Sequence, residues 1–143
     1  MFVDWDRLIW VGLACSAAWM AAVGWYVGLV HYPAFKFVSG EDWSQFHAMH
    51  TSATGILVGP PMILQILCSF AALSLSDSWW VKGSVILCLA LSVGWTGVVS
   101  GPIHMKLVTK DVELIEQLIR TNWPRALAWS IQAVLAAWML VKR

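Results

Sequence analysis

The sequence is short of charge. Only 12% of its 143 residues are Asp, Glu, Lys or Arg, whereas 59% are hydrophobic and the mean hydropathy is +0.70. A soluble domain usually carries about 25% charged residues, so this chain has too few charges to cover a surface in water. The net charge is only +1 and no basic block is present, so the chain has no basic surface that would attract nucleic acid. These shortages exclude a soluble domain, a disordered chain and a nucleic-acid-binding protein.

Several motifs are also lacking. The three cysteines lie inside apolar runs without CxxC or metal-type spacing, and the sequence contains neither ExxH nor HExxH. A ferritin-like di-iron site or a zincin would therefore lack its signature. No acid or base lies near the middle of any apolar run, which weighs against a small transporter, because coupling residues are normally found there.

The chain does contain four apolar runs long enough to cross about 30 Å of hydrocarbon as helices. They predict an all-α, four-span transmembrane helix bundle with up-down-up-down threading. We expect residues 1–143 to form a single integral membrane domain in contact with the lipid bilayer. Short amphipathic helices are expected at one membrane face, from about Ser39 into the second span and separately over residues 111–122. The predicted spans are about 8–30, 53–75, 83–101 and 123–141.

Four spans place both termini on one side of the membrane. The basic residues on that side lie in far fewer loop residues than those on the other side. The positive-inside rule therefore predicts cytoplasmic termini. We expect the membrane itself to be a bacterial inner membrane.

Antiparallel threading also brings all four histidines to the membrane face opposite the termini. His31 ends the first span, His47 and His50 precede the second, and His104 follows the third. Neutral imidazole is the commonest metal ligand, and a pair three residues apart on a helix can fill two positions around Fe, Cu or Zn. Ordinary interfacial histidines would give the same distribution.

Two of these histidines share a spacing. Gly24, Gly28 and His31 form G-x-x-x-G-x-x-H, and Gly97, Gly101 and His104 repeat it. On regular helices the glycines would lie on the same face as each histidine, where they could either pack helices closely or clear space for a porphyrin. The pattern predicts His31 and His104 as ligands of haem b or of a metal, with Gly28 and Gly101 beside the ring. His47 and His50 could then serve a second metal.

Arg125, at the expected start of the fourth span, could bind lipid phosphate, an anionic substrate or a haem propionate.

Two families are similar to the chain over short patches. Val30 to Phe35, the Pro-containing second span and residues 121–125 resemble small anthrone-oxygenase-like membrane proteins, in which an N-x-x-R element, here Asn122 and Arg125, is typical. Residues 25–33 and 59–64 are more loosely similar to the HemJ-type protoporphyrinogen oxidase, a membrane-bound family associated with haem. These resemblances imply a membrane oxidoreductase, oxidase- or oxygenase-like, that acts on a hydrophobic small molecule.

The leading hypothesis is therefore a redox-active membrane protein with a histidine-lined haem or transition-metal site at one face. A metal-free structural or accessory membrane protein is the first alternative, and a small transporter is the second.

Overall fold

The computed structural model describes residues 4–142 as four long helices. Each is long and apolar enough to cross a membrane, and no strand lies within the described range. The predicted all-α bundle of four spans is therefore confirmed. Residues 1–3 and 143, which the single-domain prediction included, lie outside this range. The helices are α1 (Trp5–Phe37), α2 (Trp43–Leu75), α3 (Trp79–Lys106) and α4 (Val112–Val141).

α4 begins eleven residues before the predicted span. The Asp111 side chain caps it by accepting hydrogen bonds from the backbone N–H groups of Glu113 (2.8 Å) and Leu114 (3.1 Å). Residues 112–122 are therefore the first part of α4, and the expectation of a separate amphipathic helix there was wrong. Pro124 does not end the helix. Its neighbours pack against the bundle, and the Trp95 indole donates to the Thr121 carbonyl at 2.9 Å in the turn where Pro124 lacks a backbone N–H.

The helices are arranged around a square. α1 packs against α2 and α4, and α3 also packs against α2 and α4, so α2 and α4 lie on one diagonal. Side chains fill the centre in three clusters, one at each end and one between them. The end that carries the histidines contains Tyr32, Phe35 and Trp43, all nearly fully buried.

A chain of hydrogen bonds joins the diagonal pair at mid-bundle. The Trp129 indole donates to Gln65 Oε1 at 2.9 Å, Gln65 donates to Gln132 Oε1, and Gln132 Nε2 donates to Ser69 Oγ at 2.9 Å. All four residues are buried. Polar groups in a bilayer need such partners, so the chain fixes the position of α2 relative to α4.

Two wide π-helical turns precede prolines. One covers Val27–His31 in α1, two residues before Pro33, and the other covers Thr96–Ser100 in α3, two residues before Pro102. A proline within a helix lacks its N–H and its ring clashes with the carbonyl four residues earlier. Widening the preceding turn relieves that clash, and it adds a residue that rotates the chain about the helix axis.

These turns alter the relation between the glycines and the histidines. Gly24 lies against Trp129 and Ala126 of α4, and Gly28 lies against Asn122 of α4. His31, the last residue of the π turn, contacts His50 of α2 instead. The expectation that each histidine shares a helix face with its two glycines was therefore wrong for α1.

The two loops at the histidine end are bonded to each other. Lys110 Nζ donates to the carbonyls of Lys36 (2.8 Å) and Val38 (2.6 Å), and the Trp43 indole donates to the Leu107 carbonyl at 3.0 Å. A salt bridge between Lys36 and Glu116 adds a further contact at this end. Both loops therefore lie at the same end of the bundle.

Thiol labelling can test how the bundle sits in the membrane. On a background without the three native cysteines, we expect Gly40→Cys and Thr109→Cys to react with an impermeant maleimide added outside intact spheroplasts. Asp77→Cys, in the loop between α2 and α3, should react only after permeabilisation, because antiparallel helices place it on the other side. Labelling of positions 40 and 109 from opposite sides would contradict the bundle. Labelling of both positions only after permeabilisation would show that the bundle has the opposite orientation in the membrane, with its fold unaffected.

Candidate functional site

All four histidines meet at one end of the bundle, supplied by three helices. His31 comes from α1, His47 and His50 from α2, and His104 from α3. The local helix geometry sets the direction of each side chain. His31 ends a π turn, His47 and His50 are separated by one helical turn, and His104 follows a π turn and Pro102.

The four rings form two close pairs. His31 Nε2 lies 2.8 Å from His50 Nδ1, and His47 Nε2 lies 3.4 Å from His104 Nδ1. The pairs are joined by His50, whose ring centroid lies 5.4 Å from that of His104. His50 is the most deeply placed, with 3% of its surface exposed. Each pair shares at most one proton between the two facing nitrogens, so a neutral imidazole is present in each contact.

Aromatic side chains enclose the cluster on one side. The Phe35 ring meets the His31 and His50 rings edge-on, with centroid distances of 5.2 Å and 4.9 Å. The Trp43 ring stacks on that of His47 at 5.4 Å. Because Phe35 and Trp43 are at most 1% exposed, they exclude water from this side and hold the imidazoles in fixed orientations.

A second layer of hydrogen bonds extends from His104 to α4. The Tyr32 hydroxyl lies 3.0 Å from His104 Nε2 and accepts a hydrogen bond from Arg125 Nη2 at 3.0 Å. Arg125 Nε donates to Asn122 Oδ1 at 2.9 Å, and Asn122 Nδ2 donates to the Gly24 carbonyl at 2.8 Å. The layer therefore fixes the His104 ring through Tyr32 and ties that ring to both α1 and α4.

The spacing of the ring nitrogens can be compared with that of a metal centre. Metal–nitrogen bonds of about 2.0–2.1 Å in a tetrahedral site place neighbouring ligand nitrogens about 3.3 Å apart. The His47–His104 pair, at 3.4 Å, matches that value, whereas the His31–His50 pair, at 2.8 Å, is closer because its nitrogens are hydrogen-bonded. Among residues 4–142, no group of three His, Cys, Asp or Glu side chains is placed to hold a metal ion. A metal would therefore have to replace the contacts within each pair and draw the two pairs together.

Haem meets a different obstacle. The His50 ring lies 4.7 Å from the His31 ring and 5.4 Å from the His104 ring, so it occupies the space between the two predicted axial ligands. A porphyrin held between His31 and His104 does not fit this arrangement. The glycines open little space there, since Gly28 contacts Asn122 and the cavity that Gly24 and Gly101 line has a volume of only about 130 Å³.

Two hollows adjoin the cluster. A groove of about 610 Å³ runs between α1 and α2, with His31, His50 and Thr54 as its polar residues. A smaller cavity of about 130 Å³ lies inside the bundle, where Arg125, His104 and Tyr32 meet Thr54 and Thr96. Val23, Val27 and Thr54 line both hollows, so these side chains form part of the wall between them.

Sequence reasoning missed two members of the site. Tyr32, which bonds His104 and Arg125, directly follows His31 in the sequence. Thr54 Oγ1 lies 3.1 Å from His50 Nδ1 and is one turn further along α2. Their proximity to a histidine along the chain was the available signal, although it does not say which histidine each contacts.

Comparisons of the chain with known protein families, with curated proteins and with solved structures give no match. The function must therefore be argued from the site itself.

Proposed function

We propose that this integral membrane protein binds a transition metal ion through its clustered histidines and performs redox chemistry on a hydrophobic small molecule. The observation that carries the proposal is the convergence of four imidazoles from three helices, with facing nitrogens 2.8 and 3.4 Å apart. Imidazole is a suitable ligand for Fe, Cu and Zn. Ionisable side chains within a bundle of membrane helices are energetically costly, so their presence usually indicates a functional site.

The nitrogens that face one another are the proposed ligand atoms. Binding would exchange the two ring-to-ring contacts for bonds from nitrogen to metal. Tyr32 occupies His104 Nε2 and leaves Nδ1 as the ligand atom, in the way that a hydrogen-bonded second layer orients a metal-binding histidine. Arg125, by donating to Tyr32, holds that hydroxyl in place. A bound iron or copper ion would supply one-electron chemistry of the oxidase or oxygenase class, with dioxygen as the electron acceptor.

The remaining parts of the proposal concern location. The termini are cytoplasmic and the membrane is a bacterial inner membrane, so the histidine end faces the periplasm. The substrate reaches the site from the bilayer through the groove between α1 and α2, whose lining is almost wholly apolar. The resemblance to anthrone-oxygenase-like proteins, which rests on short patches, supports the same reaction class.

Metal analysis and an absorbance spectrum of the purified protein test this proposal. We expect about one iron or copper ion per chain after purification without chelators, and its loss at acidic pH as protons compete for the imidazoles. A Soret band would instead identify haem. Protein with neither metal nor haem, even after incubation with Fe, Cu or Zn, would overturn the proposal and favour a metal-free accessory role.

A further inference from the structure

The Arg125 guanidinium is a buried cation without a carboxylate partner. Arg125 is only 7% exposed, and its hydrogen-bond partners are the neutral side chains of Asn122, Tyr32 and Thr96. Lys36 with Glu116 is the salt bridge found among residues 4–142, and it lies on the outer surface. A guanidinium has five N–H groups, and these contacts engage three of them. The Trp129 ring, 5.7 Å from Arg125 Cζ, offsets part of the charge, but an anion would compensate a buried guanidinium far better in this low-dielectric site.

The cavity beside Arg125 has room for a small anionic group. Its volume is about 130 Å³, and His104, Thr54 and Thr96 contribute further polar atoms to its wall. This volume exceeds the roughly 30 Å³ that one water molecule takes up in the liquid, so the cavity has room for a carboxylate head group.

The neighbouring groove supplies an apolar continuation. Its volume of about 610 Å³ falls within the usual range for small-molecule sites. Trp19, Tyr26 and Leu57 line it, and each is between 47% and 58% exposed, so the groove opens on the outer surface of the bundle, towards lipid. Val23, Val27 and Thr54 line the groove as well as the cavity, and Thr54 lies beside His50, so the groove adjoins the cavity at this wall.

We propose that the substrate is a lipid-soluble carboxylic acid, such as a long-chain fatty acid, with its carboxylate against Arg125 and its chain in the groove between α1 and α2. Charge complementarity selects the head group, because a carboxylate accepts two parallel hydrogen bonds from a guanidinium. The largely apolar groove selects the chain. The chain would leave the cavity past Val23 and Val27, which places its first carbons beside His50 and His104.

This inference names the substrate class for the proposed function, but binding can be measured without the metal. The probe is cis-parinaric acid, a fluorescent fatty acid that accepts energy from tryptophan, added to chelator-treated protein in phosphatidylcholine nanodiscs. We expect saturable energy transfer that palmitate displaces, and at least about tenfold weaker displacement by hexadecanol, which has the same chain without the charge.

Matched variants locate the head group. Arg125→Gln should weaken palmitate binding at least about tenfold, and Arg125→Lys should retain part of the affinity. Arg120→Gln, on the exposed face of α4, should bind as the wild type does. Ala53→Trp should block the groove and reduce binding of the acid and the alcohol alike.

The comparison of acid with alcohol in the wild type needs no variant to fold. Equal displacement by palmitate and hexadecanol would overturn the inference, and so would Arg125→Gln with unchanged affinity and normal folding. Displacement by phosphatidylglycerol at equal strength would identify a phospholipid head group instead and would also overturn it. Protein that holds metal but binds no fatty acid would refute only this inference, whereas fatty-acid binding without any metal affinity would refute only the redox proposal.

Discussion

His50→Ala should abolish the metal binding that we propose for this protein. The His50 ring contacts both the His31 and the His104 rings and is 3% exposed, so it is the one imidazole that joins the two pairs. In the proposed site its removal would delete a coordinate bond and also separate the remaining ligands. We expect the metal affinity to fall by more than the 10–100-fold that is typical of losing an outer-layer partner, so that little metal stays on the folded chain. Elemental analysis after size-exclusion chromatography measures it.

Other variants distinguish a ligand from a neighbour. Tyr32→Phe should retain metal in the proposed site but lower the metal affinity about tenfold and shift the metal's spectrum or potential, since Tyr32 bonds His104 and is not itself a proposed ligand. Thr51→Ala, one position after His50 and exposed, should match the wild type. Loss of cofactor in His31→Ala and His104→Ala, with retention in His50→Ala, would restore the haem pair predicted from the glycine spacing. Wild-type metal content in all four His→Ala variants would show that the cluster is not a metal site.

Gly28→Leu should prevent stable folding. A Cβ at position 28 would lie 2.2 Å from Asn122 Nδ2 and 3.1 Å from its Cγ. Asn122 cannot withdraw freely, because its amide donates to the Gly24 carbonyl and accepts from Arg125. Overpacking costs about 1–3 kcal/mol, and breaking these buried hydrogen bonds adds about 1–3 kcal/mol. The sum is a large part of the stability of a typical domain. Folded yield and monodispersity in detergent measure the effect.

The chain offers matched controls for this substitution. At Gly55 on α2 and Gly97 on α3, an added Cβ would meet no atom within 4 Å, so Gly55→Leu and Gly97→Leu should fold as the wild type does. Combining Gly28→Ala with Asn122→Ala should recover part of the yield that Gly28→Ala loses, because the two residues are in contact. A monodisperse Gly28→Leu protein at wild-type yield would show that α1 and α4 do not approach this closely.

The bundle could be predicted from the sequence because a bilayer leaves few choices. Apolar runs of sufficient length must be helices, and four of them in antiparallel order bring His31, His47, His50 and His104 to one end. The contacts within that end could not be predicted. They depend on the rotation of each helix about its axis, which the π turns before Pro33 and Pro102 reset locally. A regular helix placed His31 above Gly28, whereas the structure turns it towards His50.

The depth of Arg125 in the bundle could not be predicted from the sequence either. Proline is common in the first turn of a helix, so Pro124 suggested that the fourth span begins there. The Arg125 side chain was therefore expected to reach the lipid headgroups. In the structure α4 starts about three turns earlier, so Arg125 lies inside the bundle and is buried against Tyr32 and Asn122. Composition fixes how many helices cross the membrane, but the depth of a single charge depends on where its helix begins.

The π turns also bear on how this chain would be aligned with a relative. A π turn is equivalent to a one-residue insertion in a regular helix. A homologue that lacks the turn at Val27–His31 would have nearly the same hydropathy profile and the same four spans. Its equivalent of His31 would nevertheless be offset by one position, about 100° around the helix. An ungapped alignment would pair the histidines by number and misjudge which ones face the site. One gap within residues 27–31, and one for each of the two π turns of α3, Ala90–Gly94 and Thr96–Ser100, would align the two sites by their position in space.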